Sequence, residues 1–229
     1  MIKAILFDAD NTIYNTSQVA KLGDMAAMSF FSSQTRKSSI RKSSTELYDD
    51  WKIIVGRVKH SRDPKRRSRK YSYSILAGKY NLSGVDKAYT LCMSKVLEHL
   101  RLTPSFKSSL VRLEELKFGI ITDDSAAQVI QKLRKFRILD KFEVIITSDQ
   151  TETMKPSRLF YELALKKLKI KPEECAVVGD SFERDLSLPK KQGCLAILFE
   201  KGGIDEKKDA DYTIHNFGQL VGIIKKTIS

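Results

Sequence analysis

The sequence predicts an α/β protein with a doubly wound parallel sheet, and three observations lead to this prediction. A short apolar run at residues 2–7 is typical of a strand that is buried on both faces. From residue 104 onward, strand patterns alternate with helical patterns, which favours parallel strands joined by helices. Between these parts, residues 17–100 carry apolar residues at helical spacing. We therefore expect a helical module inserted after the first strand.

The first predicted strand ends at two carboxylates. Asp8 and Asp10 follow the apolar run, one residue apart. Because open α/β sheets bind ligands at the carboxyl ends of their strands, we expect both carboxylates in a binding crevice. Carboxylates this close repel each other unless a cation lies between them, and Mg²⁺ accepts such oxygen ligands. Taken alone, the segment is equally well interpreted as an acidic turn.

The pattern in the second half of the chain predicts five further strands, and polar residues follow several of them. The predicted strands are residues 118–121, 144–146, 175–178, 195–199 and 212–214, and the predicted helices are residues 105–116, 126–136 and 156–168. Pro156 is expected in the first turn of its helix, where its missing N–H costs least. Lys155 would then lie at a helix N-terminus, where a cation opposes the macrodipole, so we expect it to face an anion.

Other polar residues follow the predicted strands and complete a candidate site. Thr122 and the backbone N–H groups after it, beginning at Asp123, are suited to bind phosphate oxygens. Gly179 permits a sharp turn that brings Asp180 to the same edge as Asp8, and Asp185 follows one loop later. A strand-ending Thr, a solvated Lys or a helix-capping Asp explains each residue singly. Their occurrence on four strand ends of one sheet indicates a single site.

The positive charge of the chain is regional. The formal net charge is +13, and residues 17–100 hold 17 Lys and Arg against 7 Asp and Glu. Within residues 36–70 basic residues are interleaved with aromatic ones, namely Tyr48 and Trp51, with Tyr71 and Tyr73 just beyond. This pattern suits a single-stranded nucleic acid. We favour a solvated helical face over a nucleic-acid partner.

The cysteines and the apolar runs of the sequence indicate the cellular compartment in which the protein is expected. Cys92, Cys175 and Cys194 are far apart and follow no metal or disulfide spacing, so we expect a reduced, cytoplasmic protein. No charged leader with a cleavage site is recognised, and no apolar run approaches the ~20 residues that span a bilayer. We therefore expect neither secretion nor membrane insertion.

These motifs resemble the haloacid dehalogenase-like superfamily in order and spacing. The matching positions are Asp8-Ala9-Asp10-Asn11-Thr12 for its first motif, Thr122 for its second, Lys155-Pro156 for its third, and Gly179-Asp180 with Asp185 for its fourth. The resemblance implies a Rossmann-like core from residues 1–16 and 101–229, with residues 17–100 as an inserted α-helical cap. Asp124 departs from the family, in which many relatives carry Gly or Ser at this point.

The resemblance also implies an activity and a role for each site residue. Asp8 would be the nucleophile, and Asp10 the acid that protonates the leaving alcohol. Mg²⁺ would be held by Asp8, Asp180 and the backbone carbonyl of Asp10, with Asp185 in support. Thr122, Asp123 and Lys155 would bind the phosphoryl group, as these positions do in the family.

The implied function is a Mg²⁺-dependent phosphatase that acts on a small phosphorylated metabolite such as a nucleotide, a sugar phosphate or phosphoglycolate. We expect a monomer or a homodimer. Two alternatives stay open at this point. One is a metal-independent haloacid dehalogenase, against which Asp10 argues because that chemistry needs no acid there. The other is a nucleic-acid-binding protein that uses the basic cap.

Overall fold

The structure, a computed structural model, describes residues 1–35, 40–61, 63–200 and 209–228. The chain forms two compact units. The first comprises Met1–Asn15 and Arg101–Ser229, and the second comprises Thr16–Leu100. Within the described ranges, no helix combines the length and the apolar character needed to cross a membrane.

The secondary structure follows the predicted alternation. The strands are β1 Ala4–Phe7, β2 Lys117–Thr122, β3 Val144–Thr147, β4 Cys175–Gly179, β5 Leu195–Phe199 and β6 Tyr212–Ile214. The helices are α1 Thr16–Thr35, α2 Ser44–Val58, α3 Pro64–Arg67, α4 Arg69–Tyr80, α5 Val85–His99, α6 Phe106–Arg112, α7 Ala126–Lys135, α8 Ser148–Thr151, α9 Arg158–Leu168, α10 Ser187–Lys191 and α11 Phe217–Ile228.

The strands of the first unit form one parallel sheet in the order β3-β2-β1-β4-β5-β6. The predicted α/β class is therefore confirmed. The chain winds outward from β1 to β3 and then returns to the other side of β1 at β4. This reversal of winding makes the carboxyl ends of β1 and β4 the switch point where such sheets bind ligands.

Strand β1 is held rigidly at the centre of this sheet. All four of its residues are buried, and Phe7 packs edge-on against Phe106, with ring centroids 5.3 Å apart. The Asp8 N–H donates to the carbonyl of Val178 at 2.8 Å, so parallel pairing continues one residue beyond β1. Asp8 is thereby fixed beside the end of β4.

Two predicted helix boundaries were wrong. The helix expected to end at residue 116 ends at Arg112, because Leu113 leaves helical geometry with φ −123° and ψ 25° and is buried. The helix expected to start at Pro156 starts at Arg158, because Ser157 has an extended backbone with φ −129° and ψ 133°. The peptide bond between Lys155 and Pro156 is cis. Lys155 thus lies outside the first turn, and the macrodipole argument for it does not apply.

The second unit is helical, and its core contains aromatic residues that the sequence analysis had assigned to a basic face. Trp51 is 7% exposed and Tyr73 is fully buried. The Trp51 Nε1–H donates to Ser72 Oγ at 2.9 Å. Buried rings cannot stack on nucleotide bases, so the stacking role expected of Trp51 and Tyr73 was wrong, whereas Tyr71 is exposed. Arg36, Lys37 and Arg62 of the basic stretch lie outside the described residues.

A buried carboxylate organises the same helical unit. Asp24 is 3% exposed, and its Oδ1 accepts hydrogen bonds from Arg69 Nε at 3.0 Å and from the Tyr73 hydroxyl at 2.7 Å. The thiol of Cys92 lies 3.6 Å from the same oxygen. Arg69 therefore serves the interior of this unit, in contrast to the exposed Lys65, Arg66 and Arg67.

Candidate active site

Asp8 occupies the centre of the candidate site, at the carboxyl end of β1. It is 5% exposed. Its Oδ1 accepts a hydrogen bond from Lys155 Nζ, and its Oδ2 accepts one from Thr12 Oγ1 at 3.0 Å. Burial raises the pKa of Asp8, Lys155 opposes this rise, and the negative charges of Asp185 and Asp180 add to it. Burial and the two neighbouring carboxylates therefore outweigh the one ammonium bonded to Asp8.

Lys155 faces an anionic group as expected, but this group belongs to the protein. Its ammonium is buried and, besides Asp8, contacts Asp185 Oδ1 at 2.7 Å and the carbonyl of Ile121 at 3.3 Å. Burial lowers the pKa of Lys155, but Asp8 and Asp185 outweigh it and raise the pKa above its usual value. These three acceptors match the three N–H donors of an ammonium. Phosphate binding by Lys155 stays a prediction, and it would require a phosphate oxygen to replace or share one of them.

The polar residues at the end of β2 and directly after it hold other residues of the site in place. Thr122 is buried, and its hydroxyl oxygen accepts the Asp124 N–H at 3.2 Å. Asp123 Oδ1 accepts the Lys155 N–H at 2.8 Å, and its Oδ2 accepts a bond from Arg184 Nη2. The Asp123 carboxylate thus holds the Lys155 backbone and Arg184. Phosphate binding by Asp123 stays a prediction that concerns its backbone.

Three carboxylates converge where β1 and β4 end. Oxygen atoms of Asp8, Asp180 and Asp185 lie within 4.8 Å of one another. A π-helical turn, Phe182–Leu186, brings Asp185 back to this point, where its Oδ2 accepts the Ser181 N–H at 3.1 Å. The carboxylates of this group outnumber the single ammonium that contacts Asp8 and Asp185, so negative charge is in excess. Hard oxygen donors with this excess charge fit a divalent cation such as Mg²⁺. The carboxylate of Asp10 is not a member of this group.

Asp10 lies in a second ion cluster that sequence reasoning missed. Lys132 Nζ contacts Asp10 Oδ1 at 2.7 Å and Asp124 Oδ2 at 2.5 Å. Lys132 is on α7, and only 2% of it is exposed. One sequence feature indicated this position. Lys132 lies three residues after Val129 and directly before Leu133, on the buried face of the helix, where a solvated lysine is not expected.

Comparison with known proteins identifies the family of the chain. Residues 2–193 match the description of haloacid dehalogenase-like hydrolases. The chain belongs to this family. The chain is also similar to a glyceraldehyde 3-phosphate phosphatase of Methanocaldococcus jannaschii, with 28% identity over 98% of this chain and 98% of the relative. A ribulose-1,5-bisphosphate 5-phosphatase of Halopiger xanaduensis is 26% identical over 98% of this chain and its full length.

Solved structures of the family show the same fold. The crystal structure of a HAD phosphatase from Thermococcus onnurineus has a TM-score of 0.77 at 24% identity and covers 97% of this chain and 98% of its own. An L-2-haloacid dehalogenase from Xanthobacter autotrophicus has a TM-score of 0.70 at 17% identity, with 98% and 99% covered. The family and the phosphatase class predicted from the sequence are confirmed by the family match and the curated relatives.

Proposed function

We propose that this phosphatase is a Mg²⁺-dependent phosphomonoester hydrolase that works through an aspartyl-phosphate on Asp8. The observation that carries the proposal is the position of Asp8. It lies at the switch point of the sheet, bonded to Lys155 and grouped with Asp180 and Asp185. A carboxylate held in place by Thr12 and by a buried ammonium is a preorganised nucleophile.

In the first step, a carboxylate oxygen of Asp8 attacks phosphorus and the P–O bond to the alcohol breaks. Asp10 in its protonated form supplies a proton to the leaving oxygen, and the carboxylate that this leaves later accepts a proton from the water that hydrolyses the aspartyl-phosphate. Thr122 uses its oxygen as the acceptor for Asp124, so its own proton is directed to a phosphoryl oxygen. Lys155 neutralises charge on the same group.

The metal is assigned to residues whose chemistry suits it. Asp8, Asp180 and the backbone carbonyl of Asp10 are proposed to hold Mg²⁺, and the group of three carboxylates makes Asp185 either a further ligand or the partner of a bound water. When bound, the ion supplies charge that neutralises the phosphoryl oxygens and the carboxylates.

The proposed substrates are small sugar phosphates. The curated relatives are named for glyceraldehyde 3-phosphate and ribulose-1,5-bisphosphate, and nucleotides and phosphoglycolate complete the set to be compared. The helical unit, Thr16–Leu100, is proposed to serve as the cap whose side chains select among them. The described cysteines are buried free thiols, which suits a reducing cytoplasm.

The test is hydrolysis of para-nitrophenyl phosphate, followed by a panel of these phosphomonoesters. We expect activity with Mg²⁺, loss of activity on adding EDTA, and recovery with excess Mg²⁺. Asp8→Asn should lower kcat ~10⁴-fold or more, because an amide cannot act as the nucleophile. Circular dichroism of the variant should match the wild type. Turnover that survives both EDTA and Asp8→Asn would contradict the proposal, and halide release from 2-haloacids without metal would favour a dehalogenase.

A further inference from the structure

Lys132 is a buried cation for which the proposed mechanism gives no role. It extends from α7, a helix that is separated from the end of β2 by three residues. The start of this helix is fixed by Ser125 and Gln128, whose side chains cap it reciprocally. Val129 and Leu133 are fully buried on the same face. Lys132 is therefore carried into the interior by a well-anchored helix.

The surroundings of the Lys132 ammonium confine it on several sides. Asp10 Oδ1 lies at 2.7 Å and Asp124 Oδ2 at 2.5 Å, and the ring centroid of Tyr14 lies 5.6 Å away. The ring of Tyr14 is itself stacked on Phe136, with centroids 5.9 Å apart. Removing an ammonium from water is costly unless it is paired. The two carboxylates provide that pairing, and they keep the nitrogen at one position.

The contact joins residues that are 122 positions apart in the sequence. Asp10 keeps about a third of its side chain exposed, so burial alone does not fix its orientation. A charged hydrogen bond from an immobile donor restrains the carboxylate. Asp124 contributes by binding the same ammonium from a second direction.

We propose that Lys132 is a positioning residue that holds the carboxylate of Asp10 in the orientation needed for proton transfer, with Asp124 as its anchor. This inference rests on the proposed function, because it needs Asp10 as the acid–base group. Lys132 acts through Asp10 and does not contact the substrate. Its effect should therefore appear only where the leaving group needs a proton.

The experiment compares kcat/KM for two phosphomonoesters, para-nitrophenyl phosphate and an alkyl phosphate such as glycerol 3-phosphate. A phenolate is a good leaving group that departs without a proton, whereas an alkoxide must be protonated as it leaves. We expect Lys132→Met to lower kcat/KM for the alkyl ester ~10- to 100-fold, below the ~10²- to 10⁴-fold contribution of acid–base catalysis itself, because Lys132 acts only through Asp10. The change for the phenolic ester should stay within about threefold, because attack by Asp8 is untouched.

Two further variants make the result decisive. Lys167→Met removes an exposed helical lysine. It should leave kcat/KM for both esters at the wild-type values. Lys132→Met with Asp124→Asn removes the cation together with one carboxylate, so it avoids leaving both carboxylates unpaired. It should show the same dependence on the leaving group, and it replaces the single variant if thermal unfolding shows that Lys132→Met does not fold.

The outcomes separate the inference from the function on which it rests. Absence of phosphatase activity in the wild type overturns the proposed function. Strong dependence on the leaving group in Asp10→Asn, with none in either Lys132 variant, overturns the inference alone. Equal losses on both esters in the Lys132 variants also overturn it, because they would show a general structural role.

Discussion

A Cβ atom added to Gly179 would lie 2.5 Å from the Cβ of Asp185. Gly179 ends β4, and Asp185 returns to it through the π-helical turn. The missing side chain at Gly179 thus makes room for the backbone that places Asp185 beside Asp8 and Asp180. The glycine is needed here for close approach rather than for an unusual φ angle.

Replacing Gly179 should therefore disturb the arrangement of the three carboxylates of Asp8, Asp180 and Asp185. We expect Gly179→Ala to push Asp185 outward and to raise the Mg²⁺ concentration for half-maximal activity ~10-fold or more, the order seen when residues that support a metal site are changed. A Mg²⁺ titration of phosphatase activity measures this. Gly222→Ala is the control, because among the described residues nothing beyond its chain neighbours and its own helix backbone lies within 4 Å of its added Cβ. An unchanged Mg²⁺ requirement in Gly179→Ala would show that Asp185 has no part in metal binding.

The role of Asp10 as an acid can be tested through the leaving group. Asp10→Asn should lower kcat/KM for alkyl phosphates by ~10²-fold or more, whereas para-nitrophenyl phosphate should be affected far less, because only the alkoxide needs a proton. The measurement is the ratio of the two kcat/KM values in variant and wild type. Equal losses on both substrates would indicate that Asp10 acts through metal binding or structure.

Asp24 should be a main determinant of stability in the helical unit. Asp24→Ala leaves Arg69 without its carboxylate and the Tyr73 hydroxyl without its acceptor. We expect a loss of about 3 kcal/mol in the free energy of unfolding, at the low end for broken buried pairs because the Arg69 side chain is 27% exposed.

Urea unfolding followed by tryptophan fluorescence measures this loss. Trp51 is the sole tryptophan, and it packs against Tyr73 in the same unit with ring centroids 5.7 Å apart. Asp86→Ala serves as the control, since the Asp86 side chain is 86% exposed and pairs with Lys70 at the surface. It should change stability by no more than about 0.5 kcal/mol. Similar values for the two variants would show that the Asp24 network contributes little.

The exposed basic residues should not form a nucleic-acid site. Replacing Lys65, Arg66 and Arg67 together by Gln should leave the retention of single-stranded RNA unchanged, because two of the four aromatic rings of this stretch, Trp51 and Tyr73, are buried and cannot stack on bases. Arg69 is kept, since it pairs with Asp24. Filter binding at several salt concentrations measures retention, and stability should change by less than about 0.5 kcal/mol per substitution. Tight binding by the wild type that the triple variant loses would restore the nucleic-acid interpretation.

The predicted elements succeeded where the local pattern matched the buried environment. Residues 4–7 and 175–178 are continuous apolar runs, and both are fully buried strands. A central parallel strand is covered on both faces, so its sequence alone indicates its position. The helix after Pro156 was misplaced by two residues because local propensity does not determine the backbone of Ser157.

The sequence by itself determined which residues meet at the carboxyl edge of the sheet. Strand ends are local features, and parallel strands place their ends together, so Asp8, Thr122 and Asp180 were recognised without coordinates. Only the tertiary structure decided how charges pair. Lys132 with Asp10, and Arg69 with Asp24, are joined across 122 and 45 residues. The helical pattern places Lys132 on an apolar face, but it does not name the partner of the ammonium. Whether the ammonium finds a buried carboxylate depends on packing between elements, which local sequence does not encode.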